Sequence, residues 1–296
     1  MMRDSQPYTR QHYVPKFLLR QWHTPPDDML SLHQRVRGEF VVKRATANNV
    51  GFERHLYSIM MPGGFMDTTI EREFMGPHVD DPAAKAHVIL EKGVRGLEED
   101  QHGAWAQCIL SLMMRVPRMM EMLHTKANGV LGQILDHDPT VGQRPDAPNM
   151  TSREWVASNW PEAYSELAVR VLPQLIQSDL LHSGMKKGHW ATRTIASSCP
   201  FDLVIGDHPL MYHGTLEKSF LIALPLSPRC VYLHFDHPKT WEDLQNLGDA
   251  EFAKRMNLES VSRAERFVFA AGGRHAAFIE KHLKAAPGLT TERGAP

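Results

Sequence analysis

The chain has 296 residues, with 33 lysines and arginines against 34 aspartates and glutamates, so its formal net charge is −1. With 42% hydrophobic and 23% charged residues, its composition is that of a folded globular protein and not of a disordered one. This charge balance does not favour the broad basic surface that binds nucleic acid through many phosphates. Three widely spaced cysteines, without a CxxC pair, indicate neither a disulfide framework nor a zinc knuckle. No apolar run reaches signal-peptide or membrane-spanning length, so we expect a cytoplasmic protein that does not insert into a membrane.

Two strands and a helical segment are the first elements that the sequence predicts. Apolar residues in 29–33 and 40–43 flank the turn signal Gly38-Glu39, which is typical of a β-hairpin. Residues 67–91 predict a helix that begins at a polar N-cap, carries acidic residues in its first turn and is interrupted at Gly76-Pro77. A second helix is expected to follow that interruption.

The middle of the chain predicts further helices and one loop. Apolar residues at three- and four-residue steps over 98–125 predict an amphipathic helix, which Pro117 should kink or end. Proline-rich residues 136–150 predict a loop, and this loop is the best place for an internal domain boundary. Thr151 and Glu154 then fit the capping box that opens a helix.

The last third of the chain changes from helical periodicity to short strands and then back to helix. Runs rich in β-branched and aromatic residues predict strands at 190–195, 203–205, 220–224 and 230–235. Apolar residues between 261 and 271 fit one face of a C-terminal helix. We therefore expect a mostly helical single α+β domain over 1–286, with a small mixed or antiparallel sheet built largely from the strands above, and a flexible tail over 287–296.

The motifs with the most diagnostic chemistry are missing from the sequence. It contains no GxGxxG, no P-loop GxxxxGK(S/T), no GxSxG and no HExxH. Nucleotide binding through a glycine-rich loop, hydrolysis by a serine on a nucleophile elbow, and zinc-protease catalysis are therefore disfavoured. Functional residues have to be sought among individual polar side chains.

A histidine near the N-terminus is the first candidate. His12 lies between Arg10 and Lys16 and precedes a proline, so its imidazole could act as a general base or contact a phosphate. The alternative is a histidine that caps a neighbouring element through one ring nitrogen. Arg10 and Lys16 are the accompanying candidates for substrate binding, and with Arg20 they are the nearest candidates for a basic groove.

Three carboxylates are candidates for acid/base work or for holding a divalent cation. Glu53 and Glu71 lie in polar segments, and Glu73 shares no helix face with Glu71, so at most one of that pair is expected in a site. Asp207 follows an apolar strand, where ligand-binding carboxylates are often presented. Its alternative is an Asx turn, because an aspartate there satisfies local amides equally well.

One arginine stands out by its apolar surroundings. Arg115 lies in the helical stripe just before Pro117, and a buried guanidinium requires a carboxylate or phosphate partner. Arg115 is therefore either a site residue or half of a structural ion pair.

Seven segments in order resemble the uncharacterised prokaryotic family known as domain of unknown function 4238. They are QHYVPKFLLRQW, NNVGFERHLYS, DTTIERE, LMMRVPR, VIGDHPL, LIALPLSPR and MNLESVSRAERFVFA, and they extend from residue 11 to about residue 271. The resemblance implies a common fold and a common pocket, and it carries no activity. It directs attention to His12, Glu53, Glu71, Arg115, Asp207 and Asn257. Where a typical member has serine and asparagine around the aspartate, this chain has Gly206 and His208, so no role for that hydroxyl or amide carries over.

Two functions remain open from the sequence. The first is a hydrolase of phosphoester or nucleic-acid substrates, with the catalytic set His12, Glu53, Glu71, Arg115 and Asp207. In it Glu53, Glu71 and Asp207 hold a divalent cation, His12 activates water and Arg115 stabilises charge on phosphate, while Arg10, Lys16 and Asn257 bind substrate. Asp207→Asn is then expected to abolish activity at nearly unchanged melting temperature. The second is a non-catalytic binding or regulatory module whose polar residues form an enclosed structural network.

Overall fold

The computed structural model describes residues 8–61, 63–137, 150–160, 162–215 and 219–284, which form an α+β structure. The helices are α1 (Lys16–Leu19), α2 (Asp81–Leu90), α3 (Glu99–Met114), α4 (Pro117–His137), α5 (Ser152–Asn159), α6 (Ala163–Ile176), α7 (Asp179–Met185), α8 (Pro238–Gln245), α9 (Asp249–Arg263) and α10 (Ala276–His282), with a π-helix at Ile70–Asp80. The strands are β1 (Arg10–His12), β2 (Leu30–Val36), β3 (Glu39–Ala45), β4 (Phe52–Arg54), β5 (Ile59–Met60), β6 (Met66–Asp67), β7 (His189–Thr194), β8 (Ile205–Gly206), β9 (Met211–Gly214), β10 (Phe220–Ser227), β11 (Cys230–Phe235) and β12 (Phe267–Ala270). The predicted combination of many helices with small antiparallel sheets is confirmed.

Two four-stranded antiparallel sheets carry most of the strand structure. One has the order β7-β11-β10-β9 and the other the order β3-β2-β12-β8, and the ribbons β1-β4 and β5-β6 are two-stranded. Three of the four strands predicted between 190 and 235 lie in the first sheet, and the fourth, β8, lies in the second. The second sheet is larger than the sequence indicated, because it joins the N-terminal hairpin to a strand from the C-terminal region.

The predicted N-terminal hairpin is confirmed. β2 and β3 pair from Leu30 with Ala45 to Val36 with Glu39. The two connecting residues, Arg37 and Gly38, have φ values of 52° and 87°. Positive φ at both central positions is the geometry that matches a tight turn to the twist of its strands, and it is the reason for glycine at this turn.

The predicted C-terminal helix over 261–271 is wrong in its position. α9 ends at Arg263, and Phe267–Ala270 form β12, which pairs with β2 on one side and with β8 on the other. Val268, Phe269 and Ala270 are all fully buried, so both faces of this strand are covered. A continuous apolar run of that kind does not distinguish a buried strand from a buried helix, which is why periodicity misassigned it.

Prolines act differently at two predicted helix breaks. The break at Gly76-Pro77 does not form, because a π-helix continues through Pro77 to residue 80 and α2 starts directly after it. π-helical turns are rare and frequently occur at functional sites. At Pro117 the break is confirmed, since α3 ends at Met114 and α4 begins at Pro117. Arg115 lies in the junction between these helices.

The predicted capping box at Thr151 is also confirmed. The Thr151 hydroxyl accepts from the Glu154 amide at 3.2 Å, and the Glu154 carboxylate accepts from the Thr151 amide at 2.8 Å. The expected boundary at 136–150 lies mostly outside the described residues, and the expected tail at 287–296 lies wholly outside them.

The largest part of the core packs α1, α2 and α3 against β10 and β11. Trp105 of α3 meets Tyr232 of β11 edge to face, with ring centroids 5.6 Å apart. Trp22, just after α1, is fully buried and donates from Nε1 to the Leu203 carbonyl at 2.8 Å. These contacts fix the N-terminal segment, including β1, on the core. In the described part of the chain, no helix is both long and apolar enough to cross a bilayer.

Candidate functional site

The ribbon of β1 and β4 places His12 beside the buried Tyr57, whose hydroxyl lies 3.5 Å from the His12 carbonyl oxygen. Gln11 is fully buried, and its side chain accepts from the Tyr57 amide at 2.7 Å and donates to the Ser58 hydroxyl at 2.7 Å. The chain after β4 is thereby held against β1. Tyr57 then extends to the π-helix, where its hydroxyl donates to Oε2 of Glu71 at 2.8 Å.

Arg115, at the end of α3, contacts the same π-helix through Asp80. Its side chain is fully buried at the C-terminus of α3, and Nη1 donates to Oδ1 of Asp80 at 2.9 Å. Its Nε and Nη2 groups have no hydrogen-bond partner among the described residues. Burying a guanidinium with most of its donors unpaired is costly, so this arrangement calls for an oxygen-bearing ligand or a structural reason.

We call His12, Tyr57, Glu71, Asp80 and Arg115 the Arg115 cluster. His12 is 4% exposed, packs its ring against Phe52, and has no partner for either ring nitrogen within the described ranges. Burial, and then the charges of Lys16 and Arg115, lower the pKa of His12 to about 4, against a weaker opposing effect of nearby backbone groups. His12 is therefore a neutral imidazole near pH 7.

The pKa of His12 is lowered, whereas the pKa values of the two carboxylates in the cluster, Glu71 and Asp80, are raised. Burial raises the pKa of Glu71, although the hydrogen bond from Tyr57 opposes this effect. Burial also raises the pKa of Asp80, against the attraction of Arg115. For Arg115, burial disfavours the charge, but Asp80, Cys108 and Tyr57 together outweigh this effect, so the pKa is raised. The cluster therefore combines a permanent cation with a neutral base and a carboxyl group that is easier to protonate than usual.

The cluster reaches solvent on one side. A quarter of the Asp80 side chain is accessible, and burial of the rest raises the pKa of its carboxylate. Glu71 is half-buried, and Lys16 lies exposed at the start of α1, where its charge acts on His12, Glu71 and Asp80. His12, at 4% exposure, and Arg115, which is fully buried, are the least accessible of these residues.

Glu53 and Asp207, which the sequence analysis placed in the same site, belong to another group of contacts. The Glu53 carboxylate pairs with the Arg266 guanidinium. Oδ1 of Asp207 accepts from the Glu265 amide at 2.8 Å, and Oδ2 accepts from the Arg266 amide at 2.8 Å and the Phe267 amide at 3.0 Å. Asp207 therefore holds the turn that leads into β12 through backbone amides 58 to 60 positions away, and not through the local amides of the Asx-turn alternative.

The structure does not bring Glu53, Glu71 and Asp207 together as ligands of one cation. Within the described residues, no three His, Cys, Asp or Glu side chains are placed to share a metal ion. The physical reason is that each carboxylate already has a protein partner: Arg266 for Glu53, Tyr57 for Glu71, and three backbone amides for Asp207.

Two of the expected substrate-binding residues have structural contacts. Asn257 of α9 accepts from the Val204 amide at 2.9 Å and donates to the Asp202 carbonyl at 2.8 Å, so its amide is engaged away from the Arg115 cluster. Arg10 donates to Oδ1 of Asn49 at 2.9 Å on the surface. Lys16 is the one member of that set whose charge acts on the cluster.

Sequence reasoning missed Tyr57 and Asp80. Tyr57 lies in the segment FERHLYS, but it shows its role only when Gln11 folds that segment back toward Glu71. Asp80 is separated from Arg115 by 35 positions. The available signal was the requirement that a buried Arg115 find a carboxylate, and the π-helix with its acidic residues was the nearest source.

Comparison with known proteins places the chain in a family. A family model described as "Protein of unknown function (DUF4238)" matches residues 10–273. No curated protein and no solved structure matches the chain. Because the matched residues include β1, the π-helix, the Arg115 junction and β12, the whole site lies within the match. The chain belongs to the DUF4238 family.

Proposed function

We propose that this protein is a hydrolase acting on phosphoester or nucleic-acid substrates, with the Arg115 cluster as its catalytic centre. The observation that carries this proposal is a buried arginine with unpaired Nε and Nη2 donors in one cluster with a buried, neutral histidine. A guanidinium fork matches two oxygens of a phosphate, and its charge is strongest where water is excluded.

The roles follow from the protonation states. Arg115 binds phosphate oxygens and stabilises the negative charge that they carry in the transition state. His12, neutral near pH 7, takes a proton from the attacking water as the new phosphorus–oxygen bond forms. The ester bond breaks, and the leaving oxygen takes a proton from Glu71, whose pKa is raised by burial. Tyr57 orients Glu71, and Asp80 positions Arg115.

The surroundings favour a substrate with one or a few phosphates. Lys16 adds a single positive charge at the edge of the cluster, and the chain as a whole has a net charge of −1. Long nucleic acid is held through many basic contacts, whereas one phosphoester group needs only the local charge of Arg115 and Lys16. Free, buried Cys108, Cys199 and Cys230 fit a reducing, cytoplasmic setting.

One observation favours a second function, a non-catalytic binding or regulatory module. His12 is 4% exposed and Arg115 is fully buried, as expected for a network that must stay enclosed. In that case the same donors bind an anion, or brace the packing of β1, without turning a substrate over.

Turnover by the full chain separates the two functions. The substrates are p-nitrophenyl phosphate, bis(p-nitrophenyl) phosphate and a short single-stranded oligonucleotide, each with EDTA and with added Mg²⁺ or Mn²⁺. Arg115→Lys keeps the charge but loses the fork, and we expect it to lower kcat by about 10²–10³.

The matched control is Arg118→Lys, because the Arg118 side chain is 77% exposed and contacts only Glu265, at 3.7 Å, among the described ion pairs. It should retain parental turnover. Turnover that survives His12→Gln and Arg115→Lys would show that the cluster is not the catalytic centre. Phosphate-dependent stabilisation of the parent, with no substrate hydrolysed, would establish the binding module instead.

A further inference from the structure

A cavity outside the Arg115 cluster lies between α9, α10 and the segment before β8. Its volume is about 520 Å³. Small-molecule sites typically measure roughly 300–1,000 Å³, so the cavity has the size of a ligand site. Its walls include Phe201 from the segment before β8 and Phe278 from α10.

Aromatic rings give the cavity an affinity for a flat apolar group. The His282 ring lies 4.7 Å from the Phe278 ring, and the Lys254 ammonium lies 5.0 Å from the centre of the Phe201 ring. A planar ring in the cavity can stack on either phenylalanine. Because Lys254 already lies against Phe201, a ligand that stacks there meets a cation at the same time.

Positive charge predominates in the same walls. Lys254, Arg255 and Arg274 line the cavity, against one acidic residue, Glu251. Glu251 pairs with Arg255 at 2.7 Å. Lys254 belongs to none of the ion pairs among the described residues, so its charge is left to attract an anion.

The carboxylate that pairs with Arg274 is itself shared. Asp202 accepts from Arg274 at 2.9 Å and from Arg229 at 2.7 Å. One negative charge therefore faces two guanidinium groups, and the region keeps a net positive charge. An anionic ligand group would find this excess of cations near the aromatic walls.

A buried histidine in the wall supplies the specific polar contact. His275 is 6% exposed, lines the cavity, and its Nε2 has no hydrogen-bond partner in the part of the chain that the structure describes. Burial lowers its pKa, so the ring is neutral and its free nitrogen can donate or accept. Buried polar atoms are ordinarily paired, and a ligand in the cavity is the available partner.

The cavity is preformed by a structural contact that fixes two of its walls. Asn257 of α9 bonds both the Val204 amide and the Asp202 carbonyl, at 2.9 and 2.8 Å. α9 is therefore held at a set distance from the segment that carries Phe201. A preformed cavity binds with a smaller ordering cost than one that must open.

We propose that this cavity is a second ligand site, separate from the Arg115 cluster, for a small aromatic anion: a planar apolar ring joined to a phosphate or a carboxylate group. The ring lies between the aromatic walls and the anionic group contacts Lys254 and Arg274. His275 bonds a polar atom of the ligand.

A fluorescence titration of the full chain with 1-anilinonaphthalene-8-sulfonate tests this site, since the probe has both an aromatic body and an anionic group. We expect saturable binding. Displacement by adenosine monophosphate identifies phosphate as the anionic group, and displacement by salicylate identifies carboxylate. A probe that neither compound displaces contradicts the proposed chemistry.

Variants assign the binding to the cavity. Lys254→Gln and Phe278→Leu each remove one recognition feature and should weaken probe binding roughly tenfold. Lys281→Gln removes the same charge from an exposed position of α10 that does not line the cavity, and it should have no effect. Arg115→Lys should also leave the affinity unchanged, because it alters the other site.

Three results would overturn the second site. They are the absence of saturable binding, parental affinity in both Lys254→Gln and Phe278→Leu, and an equal loss in Lys281→Gln or Arg115→Lys. Lys254 is exposed, so Lys254→Gln should fold normally, and circular dichroism verifies this before the titration.

Discussion

Arg115 donates from Nη1 to Oδ1 of Asp80 at 2.9 Å, and this is the one side-chain hydrogen bond of a fully buried guanidinium among the described residues. The ion pair compensates the buried charge without using the rest of the fork. Nε and Nη2 remain as donors that a phosphate oxygen can use. This one contact therefore accounts both for the stability of the cluster and for its proposed chemistry.

Removing Asp80 should destabilise the protein by leaving the arginine charge uncompensated. Breaking a buried ion pair typically costs about 3–5 kcal/mol, and because a quarter of Asp80 is accessible we expect Asp80→Asn to cost about 3 kcal/mol. Urea unfolding measures this loss. Glu73→Gln is the control, since the Glu73–Arg72 pair at 2.8 Å is on the surface, and it should leave stability nearly unchanged. Equal effects of both variants would contradict this account.

The buried imidazole of His12 should make stability depend on pH. Its pKa falls from 6.5 to about 4 on folding, so between these values the unfolded state binds more protons and stability decreases as pH falls. The full difference is about 3 kcal/mol, reached near pH 4. Unfolding curves of the parent and of His12→Leu, from pH 7 to pH 4, measure it.

His33 provides the necessary comparison for this titration. It is fully buried, and burial likewise lowers its pKa from 6.5 to about 4. His33→Leu should remove a similar part of the pH dependence, and the double variant should remove both parts. A parent and a His12→Leu variant that lose stability in parallel would show that His12 does not titrate as described.

Asp207→Asn should act on stability more than on chemistry, in contrast to the expectation from the sequence. The carboxylate accepts three backbone N–H groups, and an amide turns one of those acceptors into a donor. Lost hydrogen bonds to a charged group cost about 1.5–3 kcal/mol, so the melting temperature should fall. Activity per folded molecule should stay at the parental level, measured at a temperature where both proteins are folded. Lost activity at an unchanged melting temperature would return Asp207 to the catalytic set.

The proton donated by Glu71 should matter only for a poor leaving group. We expect Glu71→Gln to lower turnover of an alkyl phosphate by about 10²–10⁴, the usual contribution of general acid catalysis. Turnover of p-nitrophenyl phosphate should change much less, because nitrophenolate leaves without a proton. The ratio of kcat values for the two substrates is the readout. A uniform loss on both would assign Glu71 a positioning role.

Local signals predicted much of the fold. The β2–β3 hairpin follows from a turn that needs positive φ, and the α3–α4 break follows from the fixed geometry of Pro117. β12 was not predictable in this way. It is a strand because β2 and β8, which lie far from it in sequence, cover its two edges. Periodicity contains no information about such partners.

The candidate site was predictable only in part, because local sequence again contains no information about contacts between distant positions. His12, Glu71 and Arg115 were selected from their sequence contexts, and the structure brings them into one cluster. Asp207 was selected equally, but its carboxylate is used by backbone amides that only the fold places there. Asp80 was missed because its role depends on a contact across 35 positions.

Equilibrium binding of inorganic phosphate is the most direct test of the claim that Arg115 has donors available for an anion. Calorimetric titration of the full parent chain should show binding, and Arg115→Lys should weaken it roughly tenfold, since the ammonium cannot form the fork. Arg118→Lys should bind as the parent does. Parental affinity in Arg115→Lys, or no phosphate binding by the parent at millimolar concentration, would contradict the account.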